Sequence, residues 1–265
     1  MLFITTDSRK IYYEIIGNAT SQKHIVFLNG LSQSTLAWGF MLPYFQNDYK
    51  ILLLDFVFQG QSDKEGAYKN FDEHANDVVE LLSHLQFPAT IVCGISYGSL
   101  VAQNLAVKYP NAVSQLILLS TFAHKTEYFK AIEISWLRAV QMGGYGMLLD
   151  VMLPTVLGEN YFEKPIIPID ILKQSRNTIN ENSDALLKLM QATAERKDYR
   201  SELKNIKAKT LIVHGMYDKL ISVEMANEVH RNIALSTIIF IENAGHTLNL
   251  EAAKDTSEII LNFLK

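Results

Sequence analysis

The chain has 265 residues, of which 48% are hydrophobic and 20% charged, and its net charge is −4. This composition is typical of a globular protein and excludes collagen-like, disordered and coiled-coil chains. The absence of a long basic run argues against nucleic-acid binding, and the single cysteine, Cys93, excludes a disulfide framework within the chain and cysteine-rich zinc sites. No apolar run is long enough for a membrane span and no signal-peptide pattern is present, so we expect a cytoplasmic protein.

The first 120 residues alternate between strand-like and helix-like segments. The β-rich and apolar runs predict six strands, over 2–6, 11–16, 24–29, 51–54, 90–93 and 113–119. Helical spacing of apolar residues predicts three helices, over 35–45, 71–85 and 97–109. This alternation predicts an α/β fold in which helices cover both faces of a mostly parallel sheet.

The pattern changes after residue 121, because the periodicity becomes helical and no further strand pattern occurs before residue 206. We interpret 122–205 as a helical cap, inserted into a core formed by 1–121 and 206–265. The α/β pattern then resumes. It predicts strands over 209–214 and 237–242, and helices over 223–231 and 247–264.

The sharpest motif is Gly94-Ile95-Ser96-Tyr97-Gly98, a G-x-S-x-G sequence between a predicted strand and a predicted helix. In that context a tight turn lifts the serine oxygen above the sheet, at the positive end of the following helix. The two glycines are needed because side chains there would strike neighbouring backbone. The motif predicts Ser96 as a nucleophile, and a simple helix N-cap serine is the alternative.

A serine nucleophile needs a base that takes its proton and an acid that orients the base. His246 follows the last predicted strand, and Asp218 follows the strand before it. The stretch after Leu119 has no carboxylate before Glu127, which favours Asp218 as the acid. A surface-loop histidine and a turn-forming aspartate are the alternatives.

Acyl transfer also needs two N–H donors for the oxyanion. We expect them from Tyr97 and from Leu31, in the loop after the third strand, where Gly30 allows close approach of the backbone. A plain turn is the alternative. The candidate substrate-binding residues are Asn29, Gly30, Phe122, Trp136, Met142, Met147 and Leu220. For the residues of the cap, packing onto the core is the alternative.

Taken together, these motifs resemble the α/β-hydrolase family over essentially the whole chain. The resemblance implies an eight-stranded, mostly parallel sheet, a helical cap, and a triad of Ser96, Asp218 and His246. Asn29-Gly30 and the stretch 55–62 also resemble a narrower group, the rhamnolipid-pathway 3-hydroxyacyl acyltransferase and the hydroxyacyl transacylases. Gly94 departs from that group.

The function we expect is hydrolysis of a carboxylic ester or thioester with an apolar acyl group. One alternative is an acyltransferase that uses 3-hydroxyacyl thioesters of coenzyme A or of a carrier protein, and another is a non-catalytic ligand-binding protein. Neither a zinc-binding helix motif nor a dinucleotide motif occurs, so we expect no metal and no cofactor. We expect a small-molecule acyl substrate as the partner, no nucleic acid, and a monomer or dimer.

Overall fold

The computed structural model of the protein describes residues 1–179 and 182–265. Eight strands of the described chain form one sheet in the order β1-β2-β4-β3-β5-β6-β7-β8. The strands are β1 (Leu2–Ile4), β2 (Lys10–Gly17), β3 (His24–Leu28), β4 (Lys50–Leu54), β5 (Thr90–Ile95), β6 (Val113–Leu119), β7 (Lys209–Gly215) and β8 (Ser236–Ile241). The pairs β1–β2 and β2–β4 are antiparallel, and all the other pairs are parallel. The predicted fold class is therefore confirmed.

Eleven helices of the described chain surround the sheet. They are α1 (Leu42–Phe45), α2 (Phe71–His84), α3 (Tyr97–Lys108), α4 (Glu127–Val156), α5 (Glu159–Glu163), α6 (Ile169–Ile179), α7 (Ser183–Glu195), α8 (Arg200–Leu203), α9 (Val223–Asn232), α10 (Leu248–Glu251) and α11 (Ala253–Phe263). Two predicted helices are interrupted. The segment 35–45 holds a 3-10 turn before α1, and the closing helix divides at Ala252, where the backbone leaves helical geometry.

Burial explains why the central strands are apolar throughout. All six residues of β5 are buried, as are the last four residues of β3 and of β4, because helices cover both faces of the sheet. Cys93, on β5, belongs to this core, and burial raises the pKa of its thiol well above the usual value. The sheet is thus a rigid base for the loops at its carboxyl edge.

Helices α4 to α8 lie between β6 and β7 in the chain, where the sequence predicted a helical cap. The longest of them, α4, is two helices joined at a kink, because Gly143 and Gly144 leave helical geometry and Gly144 has φ of +65°. Tyr145, just beyond the kink, donates a hydrogen bond of 3.4 Å to the carbonyl of Ser32 in the loop after β3. The inserted helices therefore contact the carboxyl edge of the sheet.

Candidate active site

Ser96 stands at the sharp turn between β5 and α3, with φ of 51° and ψ of −116°. A non-glycine residue rarely adopts this conformation, so the turn is held by its surroundings. A Cβ on Gly94 would lie 2.3 Å from the carbonyl oxygen of Gly98, and one on Gly98 would lie 2.1 Å from that of Leu28. Both glycines are therefore required by close backbone packing.

Asp218 and His246 are brought together from two loops that follow adjacent strands, β7 and β8. Nδ1 of His246 lies 2.7 Å from Oδ2 of Asp218, and both side chains are almost fully buried. The other carboxylate oxygen, Oδ1, accepts hydrogen bonds from the backbone N–H groups of Leu220 and Ile221, at 2.9 and 2.8 Å. The carboxylate is thereby fixed, and it can in turn fix the plane and the tautomer of the imidazole.

The buried His214 lies beneath this pair. Its Nε2 lies 3.1 Å from the carbonyl oxygen of Ile221 and 3.9 Å from Oδ2 of Asp218. Burial lowers the pKa of His214 and outweighs the opposing effect of the Asp218 carboxylate. His214 therefore supports the loop that carries Asp218.

The loop after β3 is held so that its backbone faces the cavity. Nε2 of Gln59 donates hydrogen bonds to the carbonyl oxygens of Gly30 and Leu31, at 2.8 and 3.2 Å. Among the described residues, no atom accepts a hydrogen bond from the N–H of Leu31 or from the N–H of Tyr97, the first residue of α3. These two donors are available to a ligand beside Ser96. No local sequence pattern indicates this role of Gln59, because its partners come from a distant loop.

Asn29 and Asp55 form a buried network below this loop. Nδ2 of Asn29 donates to the carbonyl of Leu54 at 2.8 Å and to Asp55 at 3.2 Å, and its oxygen accepts from Trp38 at 2.8 Å. Burial raises the pKa of the Asp55 carboxyl group, against the effect of the hydrogen bonds that it accepts. A Cβ on Gly60 would lie 1.9 Å from Oδ2 of Asp55, so this position requires glycine. Asn29 therefore organises the loop from below.

A cavity of about 430 Å³ joins these elements. Most of the exposed surface of its lining is apolar, and the lining comes from the loops at the carboxyl edge of the sheet and from α4, α6 and α7. The predicted site residues that line it are Gly30, Leu31, Ser96, Tyr97, Phe122, Trp136, Leu220 and His246.

Three predicted substrate-binding residues lie elsewhere. Asn29 is fully buried in its network, and Met142 and Met147 are exposed, at 77% and 39% of their surfaces. None of the three lines the cavity that holds Ser96 and His246. Met142 is six residues beyond Trp136 on the first half of α4, so helical geometry turns it to a different face from the one that lines the cavity.

A second carboxylate, partly buried, lies close to His246, although no local sequence pattern indicates it. Glu251, at the end of α10, accepts hydrogen bonds from the backbone N–H groups of Gly245 and Thr247, the two neighbours of His246. Acidic residues are frequent near helix starts and in loops, so nothing in the sequence marked this one. Within the described ranges no cluster of His, Cys, Asp or Glu has the arrangement of a metal site, and no described helix is long and apolar enough to cross a membrane.

Comparison with known proteins shows which family the chain resembles. A family model described as alpha/beta hydrolase fold matches residues 23–148. The chain is therefore similar to the α/β-hydrolase family, whose fold it shares. A curated relative is 3-oxoadipate enol-lactonase 2 of Acinetobacter baylyi, which is 26% identical over 251 residues, or 94% of this chain and 90% of that protein.

Solved structures show the same α/β-hydrolase fold. MGS-M2, an alpha/beta hydrolase from a Medee basin deep-sea metagenome library, superposes with a TM-score of 0.90 at 24% identity, covering 100% of this chain and 97% of the other. A thermophilic esterase from Thermogutta terrifontis gives 0.88 at 22% identity, with 100% and 97% covered. Together with the family model and the curated relative, these matches confirm the prediction of an α/β-hydrolase enzyme, and they leave the narrower resemblance to hydroxyacyl acyltransferases unconfirmed.

Proposed function

We propose that this α/β-hydrolase cleaves carboxylic esters through a covalent acyl-enzyme, with Ser96 as nucleophile, His246 as base and Asp218 as the residue that orients the base. The observation that carries the proposal is the hydrogen bond of 2.7 Å between Asp218 and His246, at a cavity that Ser96 also lines. Ser96 stands in the strained turn that exposes a nucleophile in this fold.

The reaction proceeds in two halves. Oγ of Ser96 attacks the ester carbonyl carbon while its proton passes to Nε2 of His246. The carbonyl oxygen becomes an oxyanion and accepts hydrogen bonds from the N–H groups of Leu31 and Tyr97. When the tetrahedral intermediate collapses, the alcohol leaves with the proton from His246. Water, deprotonated by His246, then attacks the acyl-enzyme, and Ser96 regains its proton as the free acid departs.

The cavity lining supports an apolar substrate class. The cavity wall is mostly apolar and includes Phe122, Trp136 and Leu220, which suits an apolar acyl chain. A volume of about 430 Å³ is that of a pocket for a small molecule. A thioester follows the same steps, because only the leaving group differs. A lactone is a cyclic ester, and the similarity to an enol-lactonase adds lactones to the candidate substrates.

Acyl transfer to an alcohol or thiol would use the same acyl-enzyme, with a different second nucleophile. The residues that suggested it are Asn29-Gly30 and 55–62. Of these, only Gly30 lines the cavity, whereas Asn29 and Asp55 lie in the buried network. They therefore give no support to a special acceptor, and hydrolysis is the function we propose. Product analysis separates the two, because a coupled ester formed from a hydroxyacyl thioester of coenzyme A or of a carrier protein would establish transfer.

The inserted helices complete the proposal. We propose that 122–205 form a lid over the core formed by 1–121 and 206–265, since α4, α6 and α7 supply much of the cavity lining. The enzyme needs no cofactor for the steps above. A cytoplasmic location remains part of the proposal.

The decisive experiment compares Ser96→Ala with Ser201→Ala, an exposed serine on α8. Para-nitrophenyl esters of graded acyl length, matched thioesters and simple lactones form the substrate panel. The wild type and Ser201→Ala should turn over at least one class and gain one phosphonyl group from a fluorophosphonate, whereas Ser96→Ala should do neither. Turnover retained by Ser96→Ala would refute the nucleophile. A wild type that binds the esters without cleaving any of them would support the non-catalytic alternative.

A further inference from the structure

Glu251 makes three hydrogen bonds that converge on the loop carrying His246. Its Oε2 accepts from the N–H of Gly158 at 2.7 Å and from that of Gly245 at 3.1 Å, and its Oε1 accepts from that of Thr247 at 2.9 Å. Gly245 and Thr247 are the two neighbours of His246 in the chain. The carboxylate therefore holds the backbone on both sides of the imidazole.

The same carboxylate connects this loop to the end of α4. Gly158 follows that helix, and Val156 in its last turn accepts hydrogen bonds from the N–H of His246 and from Oγ1 of Thr247, both at 3.1 Å. On the opposite side, Oγ of Ser120 donates to the carbonyl of His246 at 2.7 Å. The backbone of the histidine is thus fixed from several directions.

The His246 loop and the end of α4 are closely packed. A Cβ on Gly245 would lie 2.4 Å from the backbone nitrogen of Gly158, and one on Gly158 would lie 3.1 Å from Oε2 of Glu251. A small displacement of the carboxylate would consequently displace the loop. In a catalytic site, an error of about 1 Å in position can cost about 100-fold in rate.

The charge of Glu251 matters as well as its shape. Three N–H donors face its two oxygens, so the ionised form, which only accepts hydrogen bonds, fits them best. Burial raises the pKa of this carboxyl group, whereas the three N–H groups and the neighbouring His246 act in the opposite direction. The negative charge of Glu251 favours the positive imidazolium that forms on His246 during attack.

We propose that Glu251 is a positioning residue of the active site, whose ionised carboxylate fixes the His246 loop to the end of α4 and orients the imidazole toward Ser96 and Asp218. The inference rests on the function proposed above, because it assigns a role through His246. Glu251 does not touch the substrate in this scheme. Its effect on the rate passes entirely through the histidine.

The other titratable groups near the site must be considered in a pH experiment. Asp218 contacts His246 directly, His214 lies beneath that pair, and Tyr161 on α5 interacts electrostatically with Glu251. The Glu251 variants leave all three of these groups in place. A change in the pH profile can therefore be assigned to the charge at position 251.

The test compares Glu251→Gln and Glu251→Asp with Glu258→Gln, an exposed glutamate on α11. Glutamine keeps the size of the side chain but turns an N–H₂ group toward backbone donors. We expect Glu251→Gln to lower kcat by about 10- to 100-fold with KM changed less than about 2-fold. The acid limb of its kcat/KM profile should move to lower pH. Glu251→Asp keeps the charge, so its acid limb should stay at the wild-type pH while kcat recovers in part.

Active-site titration with a fluorophosphonate normalises each rate to the number of reactive serines. If Glu251→Gln has the kcat and the pH profile of the wild type and only its Tm is lower, the inference is overturned and the role of the carboxylate is purely structural. If Glu251→Gln does not fold, Gly158→Ala presses on Oε2 without changing the charge, and kcat should fall by about 2- to 5-fold at constant KM. An unchanged kcat in Gly158→Ala would also overturn the inference. Failure of the proposed function is distinguishable, because the wild type itself would then show neither turnover nor labelling.

Discussion

Oδ2 of Asp218 lies 2.7 Å from Nδ1 of His246, although the two residues are 28 positions apart in the chain. The second oxygen of the carboxylate is held by two backbone N–H groups, so the carboxylate cannot rotate without losing them. The imidazole is consequently held through Nδ1, and His246 lines the cavity that Ser96 also lines.

Replacing Asp218 by Asn should therefore reduce catalysis far more than binding. The amide N–H₂ would face Nδ1 and favour the tautomer that has its proton on Nε2, which cannot accept the serine proton. We expect kcat to fall by about 10³- to 10⁴-fold, with KM within about 3-fold of the wild type. Steady-state kinetics on the best ester of the panel measures this. Asp255→Asn, on the exposed side of α11, is the control, and equal losses in both variants would contradict the role of Asp218.

The close approach of Gly98 to β3 makes a prediction about folding. Because a Cβ there would lie 2.1 Å from the carbonyl oxygen of Leu28, Gly98→Ala should strongly reduce the yield of folded protein or lower its Tm. Gly146→Ala is the matched control, since a Cβ at Gly146 meets no atom within 4 Å and alanine is the better helix former. Differential scanning fluorimetry gives both values. Equal Tm values for the two variants would show that the turn is looser than described.

The cavity wall predicts which residue limits the acyl chain. Trp136 is 95% buried and lines the cavity, so Trp136→Ala should enlarge the cavity and shift the preferred acyl length of para-nitrophenyl esters upward. The expected measure is a several-fold rise in the ratio of kcat/KM for long over short esters. Met142→Ala, at an exposed position of the same helix, should leave that ratio unchanged. A shift caused by Met142 instead would locate the acyl chain outside this cavity.

Arg196 joins the end of α7 to α3. Its guanidinium donates to Asn104 at 2.8 Å and to Gln103 at 2.9 Å, and it lies over the ring of Phe71. Arg196→Met would leave both acceptors without this donor, so the free energy of unfolding should fall by about 2 kcal/mol. For a chain of this size, that lowers Tm by roughly 4–8 °C. Arg138→Met, at an exposed position, should change Tm by less than about 1 °C. A similar change in both variants would argue against a stabilising role of the Arg196 hydrogen bonds.

His74 makes the stability depend on pH. Burial lowers its pKa to about 3, and the positive charge of Lys69 acts in the same direction. An unfolded histidine titrates near 6.5, so between about pH 6.5 and 3 the unfolded state holds a proton that the folded state does not. In this window the contribution of His74 to the free energy of unfolding falls by about 1.4 kcal/mol for each unit of decrease in pH.

His74→Phe should remove that contribution. Urea unfolding at pH 7, 6, 5 and 4 should show the wild type losing stability relative to the variant by the expected increment per unit once the pH is below 6. The comparison also cancels the opposite contribution of Asp77, whose pKa is raised to about 6 by burial. His84→Phe, at the exposed end of α2, is the control. Parallel pH profiles for the wild type and His74→Phe would contradict the assignment.

The features that local sequence dictates were predicted well. The runs that become β3, β5, β6 and β7 are apolar because both faces of these strands are covered, and that burial is visible in the sequence itself. The motif around Ser96 has glycines at fixed offsets, since a tight turn requires them. The order of serine, acid and histidine follows from the order in which parallel strands deliver loops to one edge of the sheet, and the catalytic roles of the three residues stay a prediction.

Features that depend on distant packing were not predicted. The kink at Gly143 and Gly144 divides α4 into two helices, so the face on which Met147 lies could not be inferred from the periodicity of the first half. Asn29 was expected to contact substrate, but its partners come from a loop about 25 residues away. Glu251 is similar, because its role depends on backbone groups of the loop after α4 that no local pattern connects to it.

The burial of Cys93 has a practical consequence. The chain contains no other cysteine, and this thiol, inside the core with its pKa raised, should resist maleimide reagents in the folded protein. The substitution Met142→Cys, at an exposed position, would then provide the only reactive thiol. A fluorophore attached there would sit on the inserted helices and would report, in a single-molecule experiment, whether they move as an ester enters.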